Sequence, residues 1–441
     1  MKMNTPVCDF VRSYMEAEPL RLHMPGHKGV PVLGVEQLDI TEVQGADSLY
    51  AAEGIIRESE ENAGRLFGCP TFYSTEGASQ CIRAMVYLAV LHAKKSGRQP
   101  KILAARNVHK TFLGAAALLD VDVSWLYPDG ESSYLSCDIS PQRLDDALSQ
   151  SGITAVYVTS PDYLGHMADL AAISGICRRH HVLLLVDGAH GAYLKFLQPS
   201  LHPMDLGADL CCTSAHKTLP VLTGGAYLHI GVQELEKHAK DALAMFGSTS
   251  PSYLILQSLD AANPRLEGYG QELAQFLPHV QALKKTLEQA GFSMYGTEPM
   301  KLTLAPKSYG YTGRELAQQL LEKNIVCEFA DPDHLVLMLT PQLGVPGLKQ
   351  LEQALLSLER KPPVEEKPPR FQKAERVCSL RQAMLSVHTT VAAAQAEGRV
   401  LASPSVGCPP AVPILACGER IDRHGAECLR YYGIETVTVM E

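Results

Sequence analysis

The sequence predicts an α/β fold in which short strands and helices alternate along the chain. Three apolar runs of five residues are typical of strands: Lys101–Ala105, Ala155–Thr159 and Val182–Val186. Near-continuous apolarity of this kind indicates strands that helices cover on both faces, as in a parallel sheet. Longer helical patterns separate the runs, so the order strand, helix, strand predicts right-handed βαβ units and a doubly wound domain.

The elements around these runs extend the same pattern. The predicted helices are Gln80–Lys95, Pro141–Ser149 and Leu170–His180, and the sheet is predicted to continue through Asp209–Thr213 and Gly224–Ile230. Each helix is long enough to cross back over a sheet of short strands. We therefore expect a large α/β domain over residues 46–266, preceded by an N-terminal arm over residues 1–45.

Beyond residue 266 the pattern changes. A long helix (Glu272–Ala290) precedes short strands near Met300–Leu304 and His334–Leu339, which predicts a smaller α+β domain over residues 267–359. Residues 360–370 (RKPPVEEKPPR) hold four prolines and six charges, the composition of a stiff linker. Residues 371–441 are predicted to form a C-terminal α+β domain with one amphipathic helix, Ala374–Ala396, and a proline-rich stretch, Cys408–Pro413.

Composition excludes several classes of protein. The 441 residues carry 39 basic and 48 acidic side chains, a formal net charge of −9, and 46% of them are hydrophobic. These values argue against disorder and against a general nucleic-acid binder. No apolar run approaches the length of a membrane span, and the N-terminus lacks the apolar core of a secretion signal, so a cytoplasmic protein is expected. The twelve cysteines lack metal-site spacing, and we expect reduced thiols and no metal.

Polar residues follow four of the predicted strands directly. They form the segments Asp187–Gly191, Ser214–Thr218, Arg106–Lys110 and Ser160–Tyr163. Ligands of open α/β sheets bind at the carboxyl ends of the strands, where such residues come together. The sequence therefore predicts an active site at that edge.

The residue types at this edge indicate a particular chemistry. Ser74–Ser79 contains a glycine and precedes a predicted helix, whose N-terminal N–H groups and positive dipole end suit a phosphate, and Ser214 and His216 could reach the same anion. Lys217 could form an imine with an aldehyde, and the carboxylate of Asp187 could pair with a protonated ring nitrogen. Together these are the parts of a pyridoxal 5'-phosphate (PLP) site.

Five ordered motifs closely resemble the Orn/Lys/Arg decarboxylase family, a bacterial group with the aspartate-aminotransferase fold (PLP fold type I). They are Leu22–Gly29 (LHMPGHKG), Asp47–Gly68, Arg106–Phe112 (RNVHKTF), Val186–Tyr193 (VDGAHGAY) and Ser214–Leu228. The resemblance covers about residues 20–231 and returns weakly at Glu397–Arg399 and Pro409–Glu419. It implies PLP as cofactor and the short form of the family, without an N-terminal receiver-like domain.

The resemblance also implies roles for individual residues. Lys217 matches the lysine that forms the imine with PLP, Asp187 the partner of the pyridine nitrogen, and His109 the imidazole stacked on the ring. Ala189 would pack beneath the ring, and His190 is expected to contact cofactor or substrate. The phosphate-contacting positions are Ala78, through its backbone, with Ser79, Ser214 and His216.

The chain also departs from the family pattern. Gly188 stands where an acidic residue is usual, Tyr193 replaces a second histidine, and Glu76 replaces the asparagine before the phosphate-loop glycine. The C-terminal Pro-Pro-Gly-Ile-Pro pattern is Pro-Pro-Ala-Val-Pro at residues 409–413. These differences leave the cofactor chemistry in place and bear on substrate identity.

The expected activity is decarboxylation of arginine, lysine or ornithine to the amine and CO2, a reaction that fits polyamine biosynthesis. Two alternatives stay open: a PLP-dependent aminotransferase or lyase, and an inactive PLP-binding regulatory protein. An aminotransferase needs an arginine for the substrate carboxylate, and residues 267–359 offer Arg314 alone. The resemblance implies a homodimer or higher homo-oligomer.

Three further residues have two interpretations each. His23 and His27 either touch a substrate or pin the arm to a neighbouring subunit. Glu419 either binds the substrate amine or is a surface charge.

Overall fold

The computed structural model describes residues 3–128, 133–149, 152–404 and 410–441. Its strands are β1 (Thr71–Ser74), β2 (Lys101–Ala105), β3 (Asp122–Leu126), β4 (Ala155–Thr159), β5 (Leu183–Asp187), β6 (Leu210–Thr213), β7 (Ala226–Ile230), β8 (Ser293–Tyr295), β9 (Lys301–Ala305), β10 (Phe329–Ala330), β11 (Leu335–Met338), β12 (His388–Ala392), β13 (Leu401–Ser403) and β14 (Thr436–Met440). Its α-helices are α1 (Pro6–Glu16), α2 (Ile55–Phe67), α3 (Gly77–Lys95), α4 (Lys110–Leu118), α5 (Pro141–Ser149), α6 (Leu170–Arg179), α7 (Ala215–Thr218), α8 (Gln233–Glu236), α9 (Ala239–Ala244), α10 (Tyr253–Leu266), α11 (Tyr269–Gln289), α12 (Gly313–Leu321), α13 (Gly344–Leu356), α14 (Leu380–Met384) and α15 (Arg423–Tyr431).

The chain divides into two compact units. The first comprises Met1–Gly97 and Leu183–Leu273, and the second comprises Arg98–Val182 and Ala274–Glu441. The domain boundaries expected from the sequence remain predictions.

The first unit contains a mixed sheet with strand order β1-β7-β6-β5. Strands β5 and β6 are parallel, with Asp187 opposite Cys212, whereas β7 is antiparallel to both β6 and β1. All five residues of β5 and of β7 are buried, as their apolar runs predict. The parallel pair brings the ends of β5 and β6 to one edge, where the polar segments 187–191 and 214–218 follow.

Helix α3 packs on β6 and β7 within this unit. Its buried face includes Cys81, Met85 and Leu88, and its last turn carries His92, Lys94 and Lys95, which suit the negative end of the helix dipole. The predicted helix Gln80–Lys95 is confirmed and begins three residues earlier, at Gly77. This packing fixes the position of the helix N-terminus in the first unit.

The second unit contains three groups of strands. Strands β4, β2 and β3 are parallel, in that order, while β10-β11-β9-β8 and β12-β14-β13 form antiparallel sheets. The predicted strands Lys101–Ala105 and Ala155–Thr159 are confirmed residue for residue, and so is the helix Pro141–Ser149. The predicted α+β character of the chain beyond residue 266 is therefore confirmed.

The predicted amphipathic helix Ala374–Ala396 is wrong. The structure has the short helix α14 in its middle and then strand β12, which pairs with β14. A capping box between Ser379 and Gln382 starts α14 late. The β-branched run Thr389–Val391 alternates between exposed and half-buried positions, the period of a strand. Tertiary pairing with β14 thus overrides the apparent helical period.

Three further observations complete the fold. Within the described residues, no helix combines the length and apolarity needed to cross a membrane. The described cysteines are all free, as expected of reduced thiols. The stretch Cys408–Pro413 begins outside the described residues, since Ser405–Pro409 are not among them.

Candidate active site

Asp187 ends strand β5 in the first unit and is 2% exposed. Its Oδ1 accepts a hydrogen bond from the backbone N–H of Ala189 at 3.1 Å and another from the thiol of Cys212 at 3.6 Å. Both of these donors are neutral, and they orient the carboxylate. Cys212 was not predicted as a site residue, because the register that places it opposite Asp187 cannot be read from the sequence.

Gly188 lies in a space that admits no larger residue without adjustment. A Cβ atom at this position would lie 3.2 Å from both the Sγ of Cys211 and the carbonyl oxygen of Cys212. The Gly188 N–H also donates to that carbonyl at 2.9 Å. The glycine therefore lets the chain turn closely past β6 directly after Asp187.

Lys217 lies in α7, directly after strand β6. Its Nζ is 3.1 Å from Nε2 of His190, a buried imidazole in the segment after β5. One of the two nitrogens donates and the other accepts, so the pair can share a proton. The structure thus joins the polar segments after β5 and β6 through two side chains that the sequence singled out.

Backbone contacts hold the same two segments together. The N–H of Ser214 donates to the carbonyl of Ala189 at 3.3 Å, and the N–H of Lys217 donates to the carbonyl of Ser214 at 3.2 Å. The ring Nδ1 of His216 is 3.0 Å from the carbonyl oxygen of Gly225. The imidazole of His216 is therefore anchored to the backbone of Gly225 through Nδ1.

The predicted phosphate positions Ala78 and Ser79 lie in the first turn of α3. Gly77, with φ of +71°, donates its N–H to the carbonyl of Gly224 at 2.7 Å. Gly224 has φ of +101°, and a Cβ there would lie 2.9 Å from the carbonyl oxygen of Thr75. The 19-residue helix directs its positive end at this turn, which gives a seat for an anion.

The acidic residue Glu76 before this turn does not conflict with an anion. It is exposed, and its carboxylate accepts a hydrogen bond from the backbone N–H of Ser248. Its charge is thus engaged by a backbone donor at the surface.

His109 belongs to the second unit. It is the N-cap of α4, and its Nδ1 accepts a hydrogen bond from the Thr111 N–H at 3.2 Å. Its stacking on a cofactor stays a prediction from the resemblance.

The prediction for Glu419 needs a correction, because the surface-charge interpretation is wrong. Glu419 is 2% exposed, and its Oε2 lies 3.1 Å from Nη2 of Arg106 and accepts the N–H of Ala416 at 2.7 Å. Arg106 also donates to the carbonyls of Pro413 and Ile414 at 3.1 and 3.0 Å. Sequence reasoning missed this pair because 313 positions separate its members.

The histidines of the arm have local partners. His23 Nε2 lies 2.5 Å from the hydroxyl of Tyr14, and His27 Nε2 lies 3.2 Å from a carboxylate oxygen of Asp39. The structure therefore places both rings in hydrogen bonds within the first unit.

Comparisons with known proteins follow this geometry. The sequence profile of the family described as Orn/Lys/Arg decarboxylase, major domain, matches residues 5–294. An arginine decarboxylase of Bacillus subtilis is 28% identical over 454 residues, 95% of this chain and 91% of the relative. The lysine decarboxylase LdcA of Pseudomonas aeruginosa is 27% identical over 259 residues, 52% of this chain and 33% of the relative.

Solved structures agree with the predicted fold. The crystal structure of the Francisella novicida lysine decarboxylase LdcF matches with a TM-score of 0.81 at 17% identity, covering 100% of this chain and 81% of that one. The predicted α/β class with PLP fold type I is confirmed, whereas the division into a large α/β domain, a smaller α+β domain and a C-terminal α+β unit stays a prediction. Because the family profile spans more than half of the sequence, the chain belongs to the Orn/Lys/Arg decarboxylase family, and the prediction that it is an amino-acid decarboxylase is confirmed with it.

Proposed function

We propose that this protein uses PLP to decarboxylate a basic amino acid, with arginine as the substrate to test first. The observation that carries the proposal is the hydrogen-bonded pair of Lys217 and His190, together with the buried carboxylate of Asp187 at the end of β5. These groups follow two neighbouring parallel strands of the first unit, so that amine, imidazole and carboxylate belong to one edge.

The donor set of the first unit fits PLP. The cofactor carries an aldehyde, a phosphate and a pyridine nitrogen, which match an amine, a helix N-terminus and a buried carboxylate. Lys217, the first turn of α3 with Ala78 and Ser79, and Asp187 supply these three groups. When bound, PLP supplies an electron sink for the pair of electrons that stays behind as CO2 leaves.

The residues of the chain have distinct tasks in this proposal. The carboxylate of Asp187 holds a proton on the ring nitrogen, and the N–H of Ala189 and the thiol of Cys212 fix its orientation. Lys217 holds the cofactor, and its hydrogen bond to His190 provides a route for the proton that replaces the lost carboxylate. Ser214 and His216 support the phosphate, and His109 is proposed, from the resemblance, to stack on the ring.

The choice of arginine rests on the relatives. The arginine decarboxylase of Bacillus subtilis aligns with almost the whole chain, whereas the Pseudomonas lysine decarboxylase aligns with about half of it. Arginine, lysine and ornithine differ at the distal group, and their amine products are of the kind used in polyamine biosynthesis. The substrate panel must therefore include all three.

The first experiment measures CO2 and amine release from arginine, lysine and ornithine by the full chain reconstituted with PLP. Lys217→Ala is expected to lose activity by at least about 10^3-fold, as expected for a group on the reaction path. Lys94→Ala, which removes an exposed lysine at the end of α3, is the matched control and should retain activity. Borohydride reduction followed by peptide mapping should label Lys217, and a label at another lysine would contradict the proposal.

The same panel separates the alternatives. A keto acid product would indicate an aminotransferase, but Arg314, the one arginine of residues 267–359, already donates to the carbonyl of Tyr432 at 2.7 Å. Bound cofactor with no product from any of the three amino acids would instead favour a regulatory protein.

We also propose that the protein is a homodimer or a larger homo-oligomer. The arm of the first unit exposes more than four-fifths of the side chains of Leu20, Leu22, Val32 and Leu33. Large exposed apolar patches are typical of interfaces, and these four side chains within residues 20–33 support one in the arm. Light scattering after size exclusion should give at least twice the 48.0 kDa chain mass, and a strict monomer would overturn the proposal.

A further inference from the structure

The turn between β10 and β11 in the second unit gathers three ionisable side chains. Asp331, Asp333 and His334 are 4, 7 and 9% exposed. Each offers one ligand atom, and these atoms lie within 4.8 Å of one another. The sequence predicts no metal site, and Asp-Pro-Asp-His at residues 331–334 matches none of the usual cysteine and histidine spacings.

Each of these side chains has a buried polar atom that lacks a hydrogen-bond partner in the described structure. The atoms are Oδ2 of Asp331, Oδ2 of Asp333 and Nδ1 of His334. An unsatisfied buried polar group costs about 1–3 kcal/mol, and native proteins contain few of them. Three such atoms in a single four-residue turn therefore indicate a missing ligand.

The turn itself holds the side chains in place. Oδ1 of Asp331 accepts the N–H groups of Asp333 and His334 at 2.7 and 2.6 Å. Helix α12 starts against the turn at Gly313, where a Cβ would lie 2.1 Å from the carbonyl oxygen of His334. The positions of the three side chains are thus set by packed backbone.

The charges around the turn favour a cation. Lys307 Nζ and the hydroxyl of Tyr431 each lie 2.7 Å from Oδ1 of Asp333, which compensates one of the two carboxylates. The pKa of Tyr432 is raised by its burial and then by the negative charges of Asp333 and Asp331. Lys307 thus compensates one carboxylate, and Oδ2 of the other, Asp331, has no hydrogen-bond partner within the described structure.

We propose that Asp331, Asp333 and His334 bind a divalent transition-metal cation such as Zn²⁺ or Mn²⁺. Two carboxylates and one imidazole suit these ions, and three protein ligands leave further coordination positions for water. The cation would be coordinated by all three atoms that lack a hydrogen-bond partner, and it would stabilise the β10–β11 turn. This site shares no residue with the proposed PLP site, and a bound cation would stabilise the second unit.

The test uses the full chain loaded with PLP, stripped of metal with a chelator and then titrated with MnCl2 or ZnCl2. Mn²⁺ is the decisive probe because thiols, of which the chain has many, prefer softer ions. The expected result is about one bound Mn²⁺ per chain by electron paramagnetic resonance, with a rise in melting temperature of at least about 2 °C. Neither the Mn²⁺ stoichiometry nor the melting temperature depends on enzyme activity. The test therefore remains valid even if the proposed decarboxylation is not observed.

His334→Ala should abolish both the bound Mn²⁺ and the thermal shift, whereas His388→Ala, at an exposed position of β12, should change neither. Asp331→Asn is a second variant that keeps the oxygen accepting the two N–H groups, and it should weaken binding at least about 10-fold. If the metal-free wild-type chain gains neither stoichiometric Mn²⁺ nor Zn²⁺, and its melting temperature is unchanged, the site holds water and the proposal is overturned.

Discussion

Two buried carboxylates of this protein accept hydrogen bonds from different kinds of donor. Asp187 in the first unit accepts hydrogen bonds from a backbone N–H and a thiol, whereas Glu419 in the second unit pairs with the guanidinium of Arg106. The backbone N–H and the thiol orient the carboxylate of Asp187, while the guanidinium compensates the charge of Glu419 inside the fold. Burial alone therefore does not identify a functional carboxylate. The donors around each buried carboxylate must also be known before a catalytic or a structural role is assigned to it.

The largest effect is expected at Asp187. Asp187→Asn keeps the acceptor for the Ala189 N–H and removes the negative charge, so kcat should fall at least about 10^3-fold. The free energy of unfolding should change by less than about 1 kcal/mol, since the contacts are retained. Steady-state kinetics and urea unfolding of the same preparation measure both, and near-normal kcat would remove Asp187 from the proposed chemistry.

The opposite result is expected at Glu419. Glu419→Gln leaves the buried charge of Arg106 uncompensated and should lower the free energy of unfolding by about 3–5 kcal/mol. The control is Glu375→Gln, which breaks the exposed pair with Arg420 and should cost less than about 1 kcal/mol. Equal decreases in the free energy of unfolding of the two variants would show that the buried pair of Glu419 and Arg106 contributes no more to stability than an exposed ion pair.

The buried imidazole of His202 should make the free energy of unfolding depend on pH. Burial lowers the pKa of His202 from 6.5 to about 3. Below pH 6.5 the imidazole of His202 binds a proton in the unfolded chain but stays neutral in the folded one. The contribution of this group to the free energy of unfolding is therefore fully present above pH 6.5 and is lost as the pH falls towards 3. This group should cost about 2 kcal/mol between pH 8 and pH 5.

His202→Gln should flatten that part of the profile, measured as the difference in unfolding free energy between the variant and the wild type at each pH. His229 is also buried with its pKa lowered by burial, and it remains in both proteins. A constant difference from pH 8 to pH 5 would contradict the shifted pKa of His202.

The smallest effect is expected at Cys212. Cys212→Val removes one neutral donor to Asp187 and replaces the thiol with two methyl groups, so PLP affinity should weaken by no more than about 10-fold with a small shift of the cofactor absorbance. Cys211→Val, which removes the adjacent buried thiol, is the matched control. An identical response of both variants would show that the effect comes from packing instead of the contact with Asp187.

The strands, and the positions of Asp187 and Lys217 at the ends of β5 and β6, could be predicted because their signals are local. Apolar runs marked β2, β4 and β5, and polar segments after the strands marked Asp187 and Lys217. The antiparallel direction of β7 and the register that brings Cys212 to Asp187 depend on pairing between distant segments, which no local pattern encodes.

The C-terminal region was harder to predict for the same reason. Its apolar residues mimic a helical period over Ala374–Ala396, and the strand β12 exists because β14, almost fifty residues later, pairs with it. The buried position of Glu419 likewise depends on its ion pair with Arg106, a residue of a distant segment of the chain. Non-local partners thus explain both the missed strand and the misread carboxylate.

The contacts of Arg106 also have a consequence for synthesis of the chain. Its guanidinium needs Pro413, Ile414 and Glu419, which leave the ribosome more than three hundred residues after it. At a synthesis rate of about 5–20 residues per second this interval lasts roughly 15 to 60 s. Throughout that time the nascent second unit holds an unpaired cation destined for its interior, so its final folding step must await the release of nearly the whole polypeptide.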